Sequence, residues 1–387
     1  MVSSRARMLA LAAGILLGFA GAVLAGRQAA GYSKPDRFRR FHPNLSLESH
    51  FYPPFSMLEN VALARWQPGR TLVIVGGNSV FHGVGQPADE VWTLRLQEQL
   101  GDRYVVVNLA FRGAFPSEAG ALVAEALLRR GLPVIYVANT TPGGVVRAFE
   151  GHHRYLFWSA QTQGKLHDWP VRNEDLAFRT SIRQGEARAA WREEQLGAEL
   201  DRLLGTQALW HHVAYRYFGT VWSPLLGAQS WRPRDSLPDP EPPPPPPAQR
   251  FRADASEEMA IIRTIGRDAT EPDGQGGWRA ESYRLRSAGD DIEKTFPPSL
   301  RPRMIIVLSQ NCPVYRERLT AEERQRDDLA FAAYARLWQE HGIASLVAGA
   351  DYAPEDFRDR VHLAPSGGHK LAAALADAIR RLPPPAP

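Results

Sequence analysis

The sequence predicts an α/β protein: a doubly wound parallel five-stranded sheet, with a large mostly helical insertion and an N-terminal hydrophobic helix. Three observations lead there. Short β-branched apolar runs recur, each bounded by glycine or polar turn residues, as expected of strands buried on both faces. Helical patterns with recognisable caps separate them, which makes each run part of a β–α unit and implies right-handed crossovers. The alternation stops for about 150 residues and then resumes, so one sheet is interrupted rather than two sheets being strung together.

Along the chain, Arg5 and Arg7 precede Met8–Gly26, nineteen residues without a charge, and Arg27 closes the run. A helix there would reach roughly 28 Å at about 1.5 Å per residue, close to the thickness of a bilayer's hydrocarbon core. Residues 1–30 are expected to be a signal anchor or, given the small residues around Val23-Leu24-Ala25, a cleavable signal peptide; a helix of the core is the third option. Lys34, Arg37, Arg39 and Arg40 follow the run, so its flanking charge does not set an orientation. Either leading alternative puts the body of the protein outside the cytosol, in an inner-membrane protein with a periplasmic domain or in a secreted one. Residues 31–69 read as a juxtamembrane linker.

Thr71-Leu-Val-Ile-Val75 is the first strand and ends in Gly76-Gly77; a helix over Asp89–Leu100 stops at Gly101. Tyr104–Asn108 is the second strand, followed by a helix that Ser117 can cap and that runs to Arg130. Pro133–Ala138 is the third. After the interruption come Met304–Leu308, a helix opened by the capping box Thr320-x-x-Glu323 and ended near Gly342, a fifth strand at Ile343–Val347, and a last amphipathic helix over Ser366–Arg381. The sheet domain is thus expected at 70–150 and 303–387, with the insertion at 151–302. The insertion differs in composition. It is rich in aromatics (Tyr155, Trp158, Trp169, Trp191, Trp210, Trp222) and has helical Arg/Glu-rich stretches such as Glu186–Leu204. A proline-rich loop at 233–250 carries Pro242–Pro247, which must be extended polyproline II.

Composition narrows the function classes. With 387 residues and 44% hydrophobic content the chain can bury a sizeable core. Its 46 basic and 42 acidic residues leave a formal charge of +4 with no long basic stretch, so nothing suggests a nucleic-acid partner. A single cysteine, Cys312, excludes an intramolecular disulfide, a CxxC redox pair and a multi-cysteine metal site. Cys312 beside Pro313 reads as a small buried residue before it reads as a nucleophile. His152-His153 and His211-His212 lack metal-ligand spacing, and neither a Walker loop nor a GxGxxG string is present, so no cofactor is implied.

Two segments carry chemistry. Gly76-Gly77-Asn78-Ser79 puts a hydroxyl just past the first strand, at the carboxyl edge where doubly wound sheets frame their ligand crevice. Taken alone, Ser79 is a nucleophile or a turn-capping serine. Asp359-x-x-His362 lies in the loop before the last helix, where a carboxylate three residues upstream can orient one ring nitrogen and leave the other free as a base. Alone it is also consistent with a surface histidine and an incidental acid. Together, both segments fall on one sheet edge and compose a Ser–His–Asp set. Gly113 after the second strand and Asn139 at the end of the third are candidate oxyanion donors, or else a tight-turn glycine and a turn asparagine.

Gly77-x-Ser79, Asn108-x4-Gly113, Asn139 and Asp359-x-x-His362, with the wider strings Gly76–Gly83 and Asp356–Leu363, resemble the SGNH (GDSL-like) hydrolase superfamily, in its membrane-anchored envelope type. The resemblance covers about half the chain. It implies a flavodoxin-like strand order 2-1-3-4-5, Ser79 as nucleophile, Ser79 N–H, Gly113 and Asn139 as oxyanion donors, His362 as base and Asp359 as its orienter. Two positions depart from the pattern: Asn78 stands where the family has aspartate, and the third block is reduced to Ala138-Asn139-Thr140. Gln310 and Asn311, after the fourth strand, are alternative donors. The resemblance further implies an ester hydrolase or O-acyltransferase working through an acyl-enzyme on Ser79, with acyl esters of envelope carbohydrates as substrates. The other class open to the sequence is a non-catalytic envelope binding or assembly protein on the same fold, contacting partner proteins of the envelope.

Overall fold

The computed structural model describes residues 3–31, 39–40, 55–87, 89–111, 113–118, 120–142, 251, 255–281 and 283–383. The insertion's aromatics from Tyr155 to Trp222, its histidine pairs, the Glu186–Leu204 stretch and the proline run lie outside the described residues.

Five parallel strands form the sheet: β1 (Thr71–Val75), β2 (Tyr104–Asn108), β3 (Val134–Thr140), β6 (Met304–Ser309) and β7 (Ala344–Ala348). Their order is β2-β1-β3-β6-β7, which is 2-1-3-4-5 when only this sheet's strands are counted. Each run is apolar at successive positions because both faces are covered. On one face Leu72, Ile74, Val107, Tyr136, Ile306 and Leu308 share a buried cluster; on the other face Val73, Val75, Val106, Val137, Ile305 and Val307 share a second. Alternation along each strand sends odd and even side chains to opposite layers.

Helices α2 (Phe55–Arg65) and α5 (Gly120–Arg129) cover the first face. Helices α4 (Trp92–Leu100) and α10 (Pro365–Arg381) cover the second. Between β3 and β6 the described chain forms α6 (Ser256–Ala269), a small antiparallel hairpin of β4 (Glu271–Pro272) with β5 (Trp278–Arg279), and α7 (Tyr283–Thr295). These join the sheet's own core: Met259 and Ile262 of α6 belong to the second cluster, and Ile292 of α7 with Phe296 beyond it to the first. The helix α9 (Ala321–Glu340) opens on a complete capping box. Thr320 Oγ1 accepts from Glu323 N–H at 3.1 Å and Glu323 Oε2 accepts from Thr320 N–H at 2.9 Å.

Two helix starts differ from the sequence expectation. The first covering helix begins at Trp92 rather than Asp89, because Gln86 Oε1 takes the Trp92 N–H at 2.8 Å and ends the preceding loop there. The second begins at Gly120, and Ser117 is buried ahead of it without capping it. Glu118 Oε2 accepts from Phe115 N–H at 2.7 Å, and Tyr136 O–H donates to Pro116 O at 2.5 Å, so residues 115–118 form a turn of their own.

At the N-terminus, α1 (Ser4–Gly31) is a single helix in which Ser4–Ala25 is apolar enough to cross a membrane, with none of that window buried against the rest of the protein. By length and composition it suits a membrane anchor or a signal sequence.

Candidate active site

The nucleophile loop begins with a steric requirement. A side chain on Gly76 would collide with the Tyr136 ring, and Gly77 has φ +95°, where a Cβ would also come within 2.5 Å of Asn139 Oδ1. Glycines therefore let β1 turn sharply against β3. Asn78 next caps the one-turn helix α3 (Ser79–His82), its Oδ1 accepting from Val80 N–H at 3.0 Å. Asn78 is also joined to β3 twice. Its N–H donates to Asn139 Oδ1 at 3.0 Å, and Asn139 Nδ2 donates back to Asn78 Oδ1 at 2.8 Å. Ser79 thus sits at the first helical position, its N–H among the first-turn donors that lack an intrahelical acceptor.

The second loop, between β7 and α10, is tied at both ends. Phe357 and Leu363 form an antiparallel bridge, Arg358 N–H donates to His362 O at 2.7 Å, and Ala364 N–H donates to Asp356 O at 2.8 Å. The buried Asp356 carboxylate binds Lys370 Nζ of α10. Within this frame Asp359 Oδ1 accepts from the N–H groups of Val361 (3.0 Å) and His362 (2.9 Å), an Asx-type turn that aims the other oxygen at the histidine ring. Asp359 Oδ2 lies 2.7 Å from His362 Nδ1, and His362 Nε2 lies 2.8 Å from Ser79 Oγ. With Nδ1–H donating to the carboxylate, Nε2 is left as the acceptor of the serine proton. Partial burial of Asp359 opposes its ionisation, but hydrogen bonds from the His362 ring and from the two backbone N–H groups outweigh it and hold the acid at about 2. The carboxylate is therefore charged throughout the neutral range.

A cleft of about 370 Å³ opens over these residues. Gly113 and Asn139 line it together with Ser79 and His362, so the structure brings all of the sequence's primary candidates except Asp359 to its surface; Asp359 stands behind His362. Gly113 has φ +73° and is exposed, and Asn139 is fully buried at the end of β3. Gln310 and Asn311 do not line the cleft. Asn311 instead accepts from Arg360 Nη1 at 2.6 Å. Cys312 is buried and burial pushes its thiol up to about 11, so it is a packed thiol rather than a thiolate.

The two walls of the cleft differ. On the β2 side stand Ala114, Phe115 and Pro116; on the β3 and β6 side stand Thr140, Thr141, Ser309 and Arg360. Sequence reasoning did not single out these polar residues. The available signal was their placement, since Thr140 and Thr141 lie at the end of β3, beside the strand that delivers Ser79, and Ser309 ends β6, one strand further. Asn78 was noted only as a departure from a pattern, and its clamp on Asn139 depends on a pairing of β1 with β3 that the sequence does not declare.

No family model matches the chain, and no curated protein matches it. Among solved structures, the inhibitor-bound M. smegmatis aryl esterase is similar at 12% identity, with 81% of this chain and 100% of that chain covered and a TM-score of 0.32. Est24, a carbohydrate acetylesterase from Sinorhizobium meliloti, is similar at 11% identity, with 81% and 99% covered and a TM-score of 0.32. The native M. smegmatis aryl esterase gives 14% identity, 81% and 100% coverage and a TM-score of 0.30. Likenesses this loose assign no activity. What stands is the chain's own sheet order and the hydrogen-bonded line from Asp359 through His362 to Ser79.

Proposed function

We propose that the chain is a serine ester hydrolase of the SGNH type, with Ser79 as nucleophile, His362 as general base and Asp359 as the residue that orients and charges the base. The observation that carries this reading is the 2.8 Å separation of His362 Nε2 from Ser79 Oγ at the floor of an open cleft, with Asp359 2.7 Å behind the ring. A serine hydroxyl is a weak nucleophile until a base takes its proton as it attacks. His362 is placed to take it, and the paired Asp359 carboxylate stabilises the imidazolium that results.

Attack of Ser79 Oγ on an ester carbonyl forms a tetrahedral intermediate whose oxygen carries the charge. The N–H groups of Ser79 and Gly113 and the Asn139 amide, which meet at the cleft, serve as its donors. Collapse breaks the bond to the alcohol, which leaves with the proton from His362. The acyl-enzyme on Ser79 is then released by a water that His362 deprotonates, or by the hydroxyl of an acceptor.

The finer reading is that the acyl esters are those of cell-envelope carbohydrates, cleaved or transferred by a body that α1 holds at the outer face of the inner membrane. An apolar, unburied α1 and a cleft wall carrying Thr140, Thr141 and Ser309 hydroxyls support it. Envelope-assembly proteins remain its candidate partners.

Labelling with a fluorophosphonate probe tests the central claim. Wild-type protein is expected to be labelled and Ser79→Ala is not, with both folded by circular dichroism. Absence of Ser79-dependent labelling in folded protein sinks the enzyme reading and favours a binding or assembly role on this fold. Turnover of an acetylated polysaccharide, with and without an added acceptor glycan, then separates hydrolysis from transfer.

A further inference from the structure

The asymmetry of the cleft bears on which ester fits, and the inference rests on the ester reading above. When the tetrahedral intermediate collapses, the departing oxygen must take its proton from His362, so the alcohol portion of the substrate lies on the His362 side of Ser79. The acyl substituent then lies toward the opposite wall. The lining residues that follow β2, on the other side of β1 from β3 and β6 in the sheet order, are Ala114, Phe115 and Pro116, which offer apolar contact to a small acyl group. The His362 side carries Thr140, Thr141 and Ser309 at the ends of β3 and β6, and Arg360 two positions before the base.

Among the described lining residues Arg360 is the one permanent cation, and no carboxylate is present. It is held rather than loose. Its Nη1 donates to Asn311 Oδ1 at 2.6 Å, and its backbone carbonyl accepts from Cys312 N–H at 2.8 Å, so side chain and main chain are both fixed to the loop after β6. Among the described residues it makes no ion pair; its hydrogen-bond partner is a neutral amide. Asp359, Glu258 and Tyr315 are the charged and titratable groups that act on it from a distance, and burial outweighs them, leaving the guanidinium less comfortable as a cation than in water. A preorganised, half-buried guanidinium with donors to spare suits a carboxylate or phosphate.

We propose that the preferred substrate is an ester whose alcohol portion carries an anionic group, a carboxylate or phosphate, read by Arg360 on the His362 side of the cleft, and whose acyl portion is small and uncharged. An acylated acidic sugar fits this description. Arg360 acts here as a specificity-determining residue and takes no part in proton transfer.

The test uses a matched pair of acetate esters, 4-acetoxybenzoate and its methyl ester, which differ only by the negative charge on the alcohol side. The ratio of kcat/KM for the anionic over the neutral ester is measured for the full-length protein, Arg360→Gln and Arg360→Lys. The ratio is expected to fall about tenfold or more in Arg360→Gln, the range for losing a charge-assisted hydrogen bond, and to be partly restored in Arg360→Lys. An equal fractional loss on both esters overturns the proposal and assigns Arg360 a structural role. The hemisuccinate of 4-nitrophenol, with its charge on the acyl side, is expected to gain nothing from Arg360; if its rate depends on Arg360 as strongly, the assignment of sides is wrong. Calorimetric binding of 4-acetoxybenzoate to Ser79→Ala and to Ser79→Ala/Arg360→Gln needs no turnover. About tenfold weaker binding in the double variant supports the anion site even if the wild type hydrolyses neither ester, which would be the failure of the ester reading alone. Equal binding by the two variants overturns the anion site.

Discussion

Asn139 and Asn78 hold each other by two reciprocal hydrogen bonds, backbone N–H of Asn78 to Asn139 Oδ1 at 3.0 Å and Asn139 Nδ2 to Asn78 Oδ1 at 2.8 Å. One proton of the Asn139 amide is thereby used to fix the nucleophile loop, and the same residue lines the cleft. Asn139→Ala removes this clamp and, on the proposed chemistry, an oxyanion donor. It is expected to lower kcat on a neutral ester by about 10²–10³, with a smaller change in KM, as loss of an oxyanion donor does. A change confined to KM in steady-state kinetics would remove Asn139 from the oxyanion site.

His362 is anchored by its own backbone as well as by Asp359, since its carbonyl accepts from Arg358 N–H and its N–H donates to Asp359 Oδ1. His362→Ala should leave the protein folded, with a modestly lower melting temperature because Asp359 loses its ring partner, while cutting ester hydrolysis by several orders of magnitude. Asp359 is the acid held at about 2, so its contribution to stability is present above about pH 4, where an unfolded aspartate is ionised, and is lost only as pH falls toward 2. Asp359 should thus stay ionised above pH 4, and the acid limb of a pH–rate profile recorded there should not be set by it. A loss of stability between pH 6 and pH 4, read by urea denaturation and abolished in Asp359→Asn, would contradict this.

Asp327 in α9 shows the opposite behaviour. Its carboxylate is buried, with Arg316 Nε 3.2 Å from Oδ2 and no hydrogen-bond partner for Oδ1 among the described residues, and burial raises its pKa to about 6 despite Arg316. The folded state therefore binds more protons than the unfolded state between about pH 4 and 6, and stability falls as pH rises through that window. Asp327→Asn should remove the slope. The stability of the variant relative to wild type, from urea denaturation, should improve by roughly 2–3 kcal/mol between pH 4 and pH 7. A pH-independent difference would mean that burial does not raise the Asp327 carboxyl in the folded state.

Gly77 is constrained twice, by φ +95° and by the approach of Asn139. Gly77→Ala should cost about 2 kcal/mol or more from the left-handed conformation and the displaced contact. Because the displaced partner is Asn139, fluorophosphonate labelling should fall further than the fraction folded does. A labelling loss that only matches unfolding would separate the loop's geometry from catalysis.

Cys312, buried with its thiol pushed up to about 11, should resist iodoacetamide at neutral pH in the native protein and react once denatured. Stoichiometric labelling without loss of structure, read by mass spectrometry, would show that the loop carrying Arg360 opens.

Much of this fold was legible because its strands are continuous apolar runs with no competing periodicity, and because the capping box at Thr320 and Glu323 satisfies local rules that act within a few residues. Ser79, Asp359 and His362 were legible for a related reason: each stands at a strand end or in a short-range turn whose residue types reveal it. What stayed hidden depends on contacts between distant segments. Ser117 has the chemistry of a cap, yet the helix starts later because Tyr136 takes Pro116 and Gly120 packs against Gly76. The polar wall of Thr140, Ser309 and Arg360 appears only once β3 and β6 lie side by side.

The contact between Ser79 and His362 spans 283 positions of the chain. A polypeptide interrupted anywhere before the last loop holds its hydroxyl without the base that would activate it. On the proposed chemistry, reactivity is switched on by completion of the chain and docking of its final strand–loop–helix unit. A chain still extended would be inert and become dangerous to ester bonds only where it folds.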